Sequence, residues 1–545
     1  MAALLLGSCS PGYAPGTLGQ VQGFAGLLVA DEPKAVLIGR DILSSGGGAV
    51  DAAVAMAFTM AVTYPSRVGL GGGGVCVVHN PKTKKTEALE FLAGPPAELA
   101  ADAPRPTAVP ALARGLFALH AKYGRQRWES LLGPAESLAR FGNPVSRALA
   151  ADLAQVAEPL LRDPGSRKVF ANSEGQAAKE GEPIHQPDLA AFLARLRARG
   201  PGDLYSGVLA REMSEAVRAA GGTLSPEDLR QVQGRWRETL AVKFGNILLP
   251  LTAHFPPPPA AAGGVEAQMW SILAGQGRFG SASAEERGHL LAEVSMRAFA
   301  DRAAWMNADG SSQIDPAELI AKARLDGLMA NYSPQRHTPA ASLKTPPADF
   351  PENPAATGMV VADRDGQAVA CTFTLNNLFG TGRVIPGIGM LMAAVPGRAG
   401  RGPYPLGPMI VVAHNVQEFH FAAAANGGQA APTALMSVAA QAVLDDRPLP
   451  EAVAAPRLHH SGHPDQLFHE PNDSLARLEG LRRRGYETVE VPSIGRVNAI
   501  HCPKGLPPKP EVCQVATDPR GHGYGLGLGT KRDDAFSGWT FGGGK

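Results

Sequence analysis

The sequence has almost no net charge, few aromatics and few cysteines. Its 51 Lys+Arg meet 50 Asp+Glu, a formal charge of +1 over 545 residues, so the basic excess that duplex nucleic acid or an anionic membrane asks for is missing. No apolar run reaches the roughly 18 residues of a membrane-crossing helix. The best, Val50 to Pro65, is shorter and carries Asp51. There is no Gly-x-Ser-x-Gly elbow and no Walker-type Gly-Lys-Ser/Thr. Turn chemistry, by contrast, is plentiful: 64 Gly and 47 Pro make up about a fifth of the chain, beside 44% hydrophobic residues. That is too apolar for disorder and too interrupted for a helical bundle, and it leaves small-molecule or protein partners.

The cysteines fall into three groups. Cys9 ends a clipped apolar run, Met-Ala-Ala-Leu-Leu-Leu-Gly-Ser, similar to the end of a lipoprotein signal but without a positively charged leader. It is a lipidation candidate, and two locations follow: a periplasmic or membrane-anchored lipoprotein, or a cytoplasmic chain with a frayed terminus. Cys76 and Cys371 sit in strand-like apolar runs and read as buried small hydrophobes. Cys502 and Cys513 flank the Pro-rich loop Pro503 to Pro510 between strand-like segments, which fits a hairpin disulfide and two reduced thiols equally well.

Helical spacing over Glu32 to Ser44 and Ala49 to Val62 brackets a Gly-rich break. Strands follow at Val75 to His79 and Thr86 to Phe91, and helical periodicity runs from Ala111 to about Arg230. After the prolines ending at Pro259 a helix begins near Val265. Tyr332 to Thr357 has no period. Beyond it strands dominate, opening with a hairpin around Asp363-Arg364-Asp365-Gly366 and interrupted by one helix over Pro432 to Leu444. No internal repeat is visible. Gly69 to Gly74 satisfies GxGxxG, but a helix precedes it and a strand follows, the reverse of a dinucleotide site. It reads instead as a close approach of backbone layers. His459, His460, His463 and His469 crowd near Glu470 without the His-Glu-x-x-His register, so no metal is assigned.

Taken in order, Ile42 to Ala55 (ILSSGGGAVDAAVA), Val68 to Gly74 (VGLGGGG), Gly221 to Leu229 (GGTLSPEDL), Asp363 to Gly366, Thr372 to Asn376 (TFTLN), Asn426-Gly427-Gly428 and Ala455 to His460 (APRLHH) resemble the γ-glutamyltransferase family. The similarity runs from about Ala30 to Tyr524. It implies an α+β fold, the four-layer αββα sandwich of the N-terminal-nucleophile hydrolases. Residues 1–29 would be a signal-like or flexible segment, 30–355 the large-subunit region and 356–545 the small-subunit region, together one αββα unit. No cofactor is implied. In that family an inactive precursor cuts itself before a Thr, whose hydroxyl then attacks a γ-glutamyl amide such as glutathione with its own α-amine as base.

Position by position, the implied chemistry departs. The nucleophile stands seven places before the first Asp of the Asp-x-Asp-Gly turn, and here that place is Ala356. Thr357 is the candidate nucleophile next along, on the other face of the strand unless a bulge corrects it. The family's supporting Thr374 and Asn376 are kept, as are the oxyanion glycines Gly427 and Gly428. The carboxylate-clamping Arg falls at Leu92, the amine-holding Asn pair at Ala393 and Ala394, and the paired oxyanion serines at Tyr404 and Pro405. Loss of chemically distinct parts together implies a pseudoenzyme without ordinary γ-glutamyl transfer, hydrolysis or self-cleavage, serving to bind or assemble a protein partner or a small apolar acyl ligand. Two alternatives stand beside it: an amidohydrolase of altered specificity using Thr357, and an accessory subunit of a cell-envelope complex.

Overall fold

The computed structural model describes residues 23–99, 106–343, 355–397, 402 and 404–529. Two large antiparallel sheets are built from β1 (Gly26–Ala30), β2 (Gly73–Asn80), β3 (Lys85–Phe91), β4 (Arg235–Glu238), β5 (Leu240–Gly245), β6 (Pro250–Phe255), β7 (Ala356–Asp363), β8 (Ala368–Thr374), β9 (Met409–Ala413), β10 (Phe419–Asn426), β11 (Arg496–Leu506), β12 (Gln514–Ala516) and β13 (Tyr524–Leu528). The first sheet runs β13-β1-β7-β8-β2-β3-β4 and the second β12-β11-β10-β9-β6-β5. Each therefore contains strands from both sides of residue 355.

All residues of β7 and β10 are buried, as strands covered on both faces must be. Leu27, Val360, Ala362, Ile410 and Ala422 fill the space between the sheets. The outer face of the first sheet meets α1 (Pro33–Ser44), α2 (Ala49–Thr63) and a helix over Leu112–Tyr123, with seven further helices between Trp128 and Gln231 in the same apolar layer. The second is covered by α3 (Ala261–Trp270), α4 (Ala284–Asp301) and α5 (Ala431–Ala439). The result is the expected αββα sandwich.

Every residue of α2 is buried, the signature of a central helix that is apolar all round. Its first turn is closed by carboxylates: Gly48 N donates to Asp51 Oδ2 at 2.9 Å and Ala49 N to Asp363 Oδ2 at 3.0 Å. The Asp363 to Gly366 turn thus caps the helix from the sheet. The Gly-rich run after α2 does bring backbones together. A Cβ at Gly73 would lie 2.2 Å from the Phe91 carbonyl oxygen, and one at Gly71 2.3 Å from that of Leu391.

The structure changes or settles several sequence readings. Cys76 and Cys371 are not free small hydrophobes; they face each other in the β2–β8 register and form a disulfide 295 residues apart in sequence. A second disulfide joins Cys502 to Cys513. Two such bonds belong to an oxidising, extracytoplasmic compartment rather than the cytoplasm. The second half also holds a helix over Leu475–Arg483 that sequence reading missed, because its arginines mask the apolar spacing. Cys9 and the residues 344–354 of the aperiodic stretch lie outside the described residues. Among the described residues no helix is long and apolar enough to cross a membrane.

One side chain ties the layers at the end of the sandwich where β7 begins. Asp31, immediately after β1, is buried. Its Oδ2 accepts from Thr357 Oγ1 at 2.8 Å, Gly358 N at 3.0 Å and Asn426 Nδ2 at 2.8 Å, while Oδ1 accepts from Asn498 Nδ2 at 2.9 Å. Charge-assisted bonds of this kind hold β1 and β7 of one sheet to β10 and β11 of the other. Asp31→Asn places an amide donor against these donors and is expected to cost about 3 kcal/mol, read as a shift in the urea midpoint. An unchanged midpoint would remove Asp31 from this role.

Candidate functional site

The positions singled out by the resemblance gather at that same end of the sandwich. In the β7–β8 register Ala356 stands opposite Thr374 and Thr357 opposite Phe373. Directly opposed residues share a face, so the methyl of Ala356 faces inward with Thr374, packed among Val75, Ala260, Leu406 and the half-buried Leu92. Thr357 points to the other face and is committed to Asp31. No bulge interrupts the register here; the strand alternation therefore separates Thr357 from Thr374.

Thr374 and Asn376 make local bonds. Thr374 Oγ1 donates to the Ala355 carbonyl and accepts from Asn376 N, both at 2.9 Å. Asn376 holds a left-handed backbone, φ 60°, and its Nδ2 donates to the carbonyls of Ala93 and Ala394 at 2.9 Å. One amide thus pins together the two segments that carry Leu92 and the Ala393-Ala394 pair. Arg67 reaches the junction from below: its Nη1 donates to the Ala356 carbonyl at 3.3 Å, and Nε and Nη2 each bond Asp152 at 2.7 Å.

A cavity of ≈30 Å³ is lined by Ala355, Thr374, Tyr404, Pro405, Gly428 and Arg302, among others. Gly427 and Gly428, at φ 121° and 62°, turn the chain from β10 toward α5 in conformations that favour glycine. The Tyr404 hydroxyl donates to the Ala308 carbonyl and closes one wall. Arg302 was not anticipated from sequence. Burial pulls its guanidinium down to about 10, opposed by the Tyr404 phenol. Glu266 of α3 was also missed; its carboxyl is buried against Gly407, and burial raises its pKa well above the usual range. Beside the cavity a larger cleft of ≈650 Å³ is bordered by Leu92, Ala93 and Pro396 together with Glu90, Arg235 and Arg237.

The histidines do not act as one group. His459 Nδ1 bonds Thr433 Oγ1, and His469 Nδ1 bonds the Glu470 carbonyl. His460 instead joins His337 and Asp465, whose ligand-type atoms lie within 4.8 Å of one another. Each of these rings already has hydrogen-bond or ion-pair partners within the protein. Gly462 N donates to His460 Nδ1 at 3.0 Å, which leaves the proton on Nε2, 3.3 Å from Asp465 Oδ1. His337 has a carboxylate at each nitrogen, Glu293 at 2.9 Å and Asp465 at 2.9 Å, the arrangement of an imidazolium.

Burial opposes the charge on His337, but the bonds to Glu293 and Asp465 outweigh it and raise its pKa. Against the same penalty of burial, His337 and Thr338 bring the Glu293 carboxyl down to about 2. The cluster anchors the chain before residue 344: Thr338 N donates to Glu293 and Ala340 N to Asp465. Because the folded pKa of His337 is raised, its stabilisation is complete below the unfolded value of about 6.5 and is lost as pH climbs through the folded one. The melting-temperature difference between the parent and His337→Gln is expected to shrink over that rise, measured by scanning fluorimetry. A difference independent of pH would contradict the clamp.

Comparison with known proteins places this geometry. The Gamma-glutamyltranspeptidase family model matches residues 35–394 and 401–528. The chain is 27% identical to the glutathione hydrolase proenzyme of Escherichia coli (strain K12), covering 92% of this chain and 94% of that one. It is 31% identical to the acylase ACY 1 proenzyme of Pseudomonas sp. (strain V22), covering 88% and 90%. Among solved structures, cephalosporin acylase from Bacillus halodurans superposes with a TM-score of 0.75 at 20% identity, covering 96% of this chain and 99% of that one, a likeness of fold. With the family model spanning nearly the whole described chain, the protein belongs to the γ-glutamyltranspeptidase family.

Proposed function

We propose that this family member has kept the sandwich and given up the family's chemistry. In this reading it is not self-cleaved, neither transfers nor hydrolyses γ-glutamyl groups, and acts as a binding or assembly unit outside the cytoplasm, with Cys9 as a lipid anchor. One observation carries the reading: the hydroxyl of Thr357 is bonded to Asp31 on the face opposite Thr374, and the residue that faces Thr374 is Ala356.

The surroundings support it. The cavity beside Thr374 is lined mainly by apolar side chains, Ala261, Ala262, Val265 and Phe299 among them. A zwitterion entering between Leu92 and the Ala393-Ala394 pair would lose its hydration without gaining the partners that the arginine and asparagines supply elsewhere in the family. The cleft of ≈650 Å³ alongside, with Leu92 and Pro396 on its walls and Arg237 at its border, is the better place for a partner or ligand.

The competing reading, an amidohydrolase using Thr357 as N-terminal nucleophile with its own α-amine as base, needs this hydroxyl released from Asp31. That carboxylate already takes Gly358 N and the amides of Asn426 and Asn498, and moving the hydroxyl away would strand a buried charge. Thr357→Val separates the two readings. The account expects turnover of γ-glutamyl and acyl anilides to be absent before and after the change, and stability to fall by about 1–2 kcal/mol as Asp31 loses a donor. Measurable turnover in the parent that vanishes in Thr357→Val would overturn it.

A further inference from the structure

The end of the sandwich opposite the candidate site gathers five strand-to-strand turns. His79 Nε2 bonds the Gln417 carbonyl at 2.8 Å, which brings the β2–β3 turn against the β9–β10 turn. Gly366 lies against Leu506 and Pro507, bringing the β8 start to the β11 end. The β5–β6 turn joins them, since His414 N donates to the Pro250 carbonyl at 2.8 Å.

Two features of this end are unlike the rest of the surface. Ile247 and Leu248, at the tip of the β5–β6 hairpin, are 98% and 94% exposed, with Leu249 at 40% and Val416 of the neighbouring tip at 62%. They are held outward by a built turn: Asn246 Oδ1 accepts from the backbone N of both Leu248 and Leu249 at 2.9 Å. Around them, Lys82, Lys84 and Lys85 of the β2–β3 turn are all exposed. Lys504, near the end of β11, and Lys509 of the β11–β12 connection add to them, against Asp365, Glu418 and Glu511 at the same end, of which Asp365 pairs with Lys82 at 3.7 Å and Glu511 with Lys509 at 3.9 Å. The overall charge of +1 averages this concentration away.

The chain enters the fold here as well. Arg364 N of the β7–β8 turn donates to the Ala25 carbonyl at 3.2 Å, so the start of β1 stands among these turns. Residues 10–22, between Cys9 and the first described residue, reach at most about 45 Å when extended.

We propose that this end is a docking face for an anionic phospholipid surface, with the aliphatic hairpin tips entering the headgroup boundary and the lysines meeting lipid phosphates. The candidate site and its cleft then face away from the membrane, open to a partner. The face is independent of whether the site retains chemistry.

Sedimentation of the full-length chain carrying Cys9→Ser, so that no acyl anchor contributes, tests it. The probes are vesicles of phosphatidylcholine and phosphatidylglycerol in equal parts and vesicles of phosphatidylcholine alone. Binding is expected to the charged vesicles, to weaken as salt is added, and to fall about tenfold or more in Ile247→Ser/Leu248→Ser and in Lys82→Glu/Lys84→Glu. Both variants change exposed side chains, so their melting temperatures should match the parent. Absence of binding at low salt, equal binding by all three proteins, or a dimer that the serine variant dissolves without any lipid binding would each overturn the proposal.

Discussion

The carboxylate of Asp31 is the constraint on which the candidate site depends. A buried carboxylate is tolerable only when donors surround it, and this one takes four, from Thr357, Gly358, Asn426 and Asn498. They belong to three strands in two sheets, β7, β10 and β11. These bonds lock strand ends at the end of the sandwich where Ala356, Thr374 and Gly428 gather. The same bonds fix the direction of the Thr357 hydroxyl. Freeing it for attack would leave a buried charge short of a donor.

Retained family residues need not mean retained chemistry. Thr374 and Asn376 form a bracket: Thr374 donates to the Ala355 carbonyl on one side, and Asn376 to the Ala93 and Ala394 carbonyls on the other. Removing them would loosen the walls even if no substrate ever entered. In their midst Ala356 packs as a core methyl with Val75, Ala260 and Leu406.

What the sequence made legible follows from the range of each interaction. Strand alternation has a period of two, so the face of Thr357 could be read once β7 was placed. The ordered glycine and Asp-x-Asp-Gly motifs placed the sandwich, and Asp363 capping α2 gives that turn its reason. The Cys76–Cys371 bond could not be read, because neither cysteine's own neighbourhood says which strand lies beside it. The same holds for Asp31, whose partners Asn426 and Asn498 come from distant segments, and for His337, which meets His460 only through the fold. Helix Leu475–Arg483 failed for a local reason, its apolar stripe being thin among arginines.

The central claim, that the strand beginning at Ala356 carries no working nucleophile, is tested most directly by mass spectrometry of the purified protein under denaturing conditions. The account predicts one polypeptide that contains both Leu343 and Thr357. Two polypeptides, the smaller beginning at Ala356 or Thr357, would contradict it.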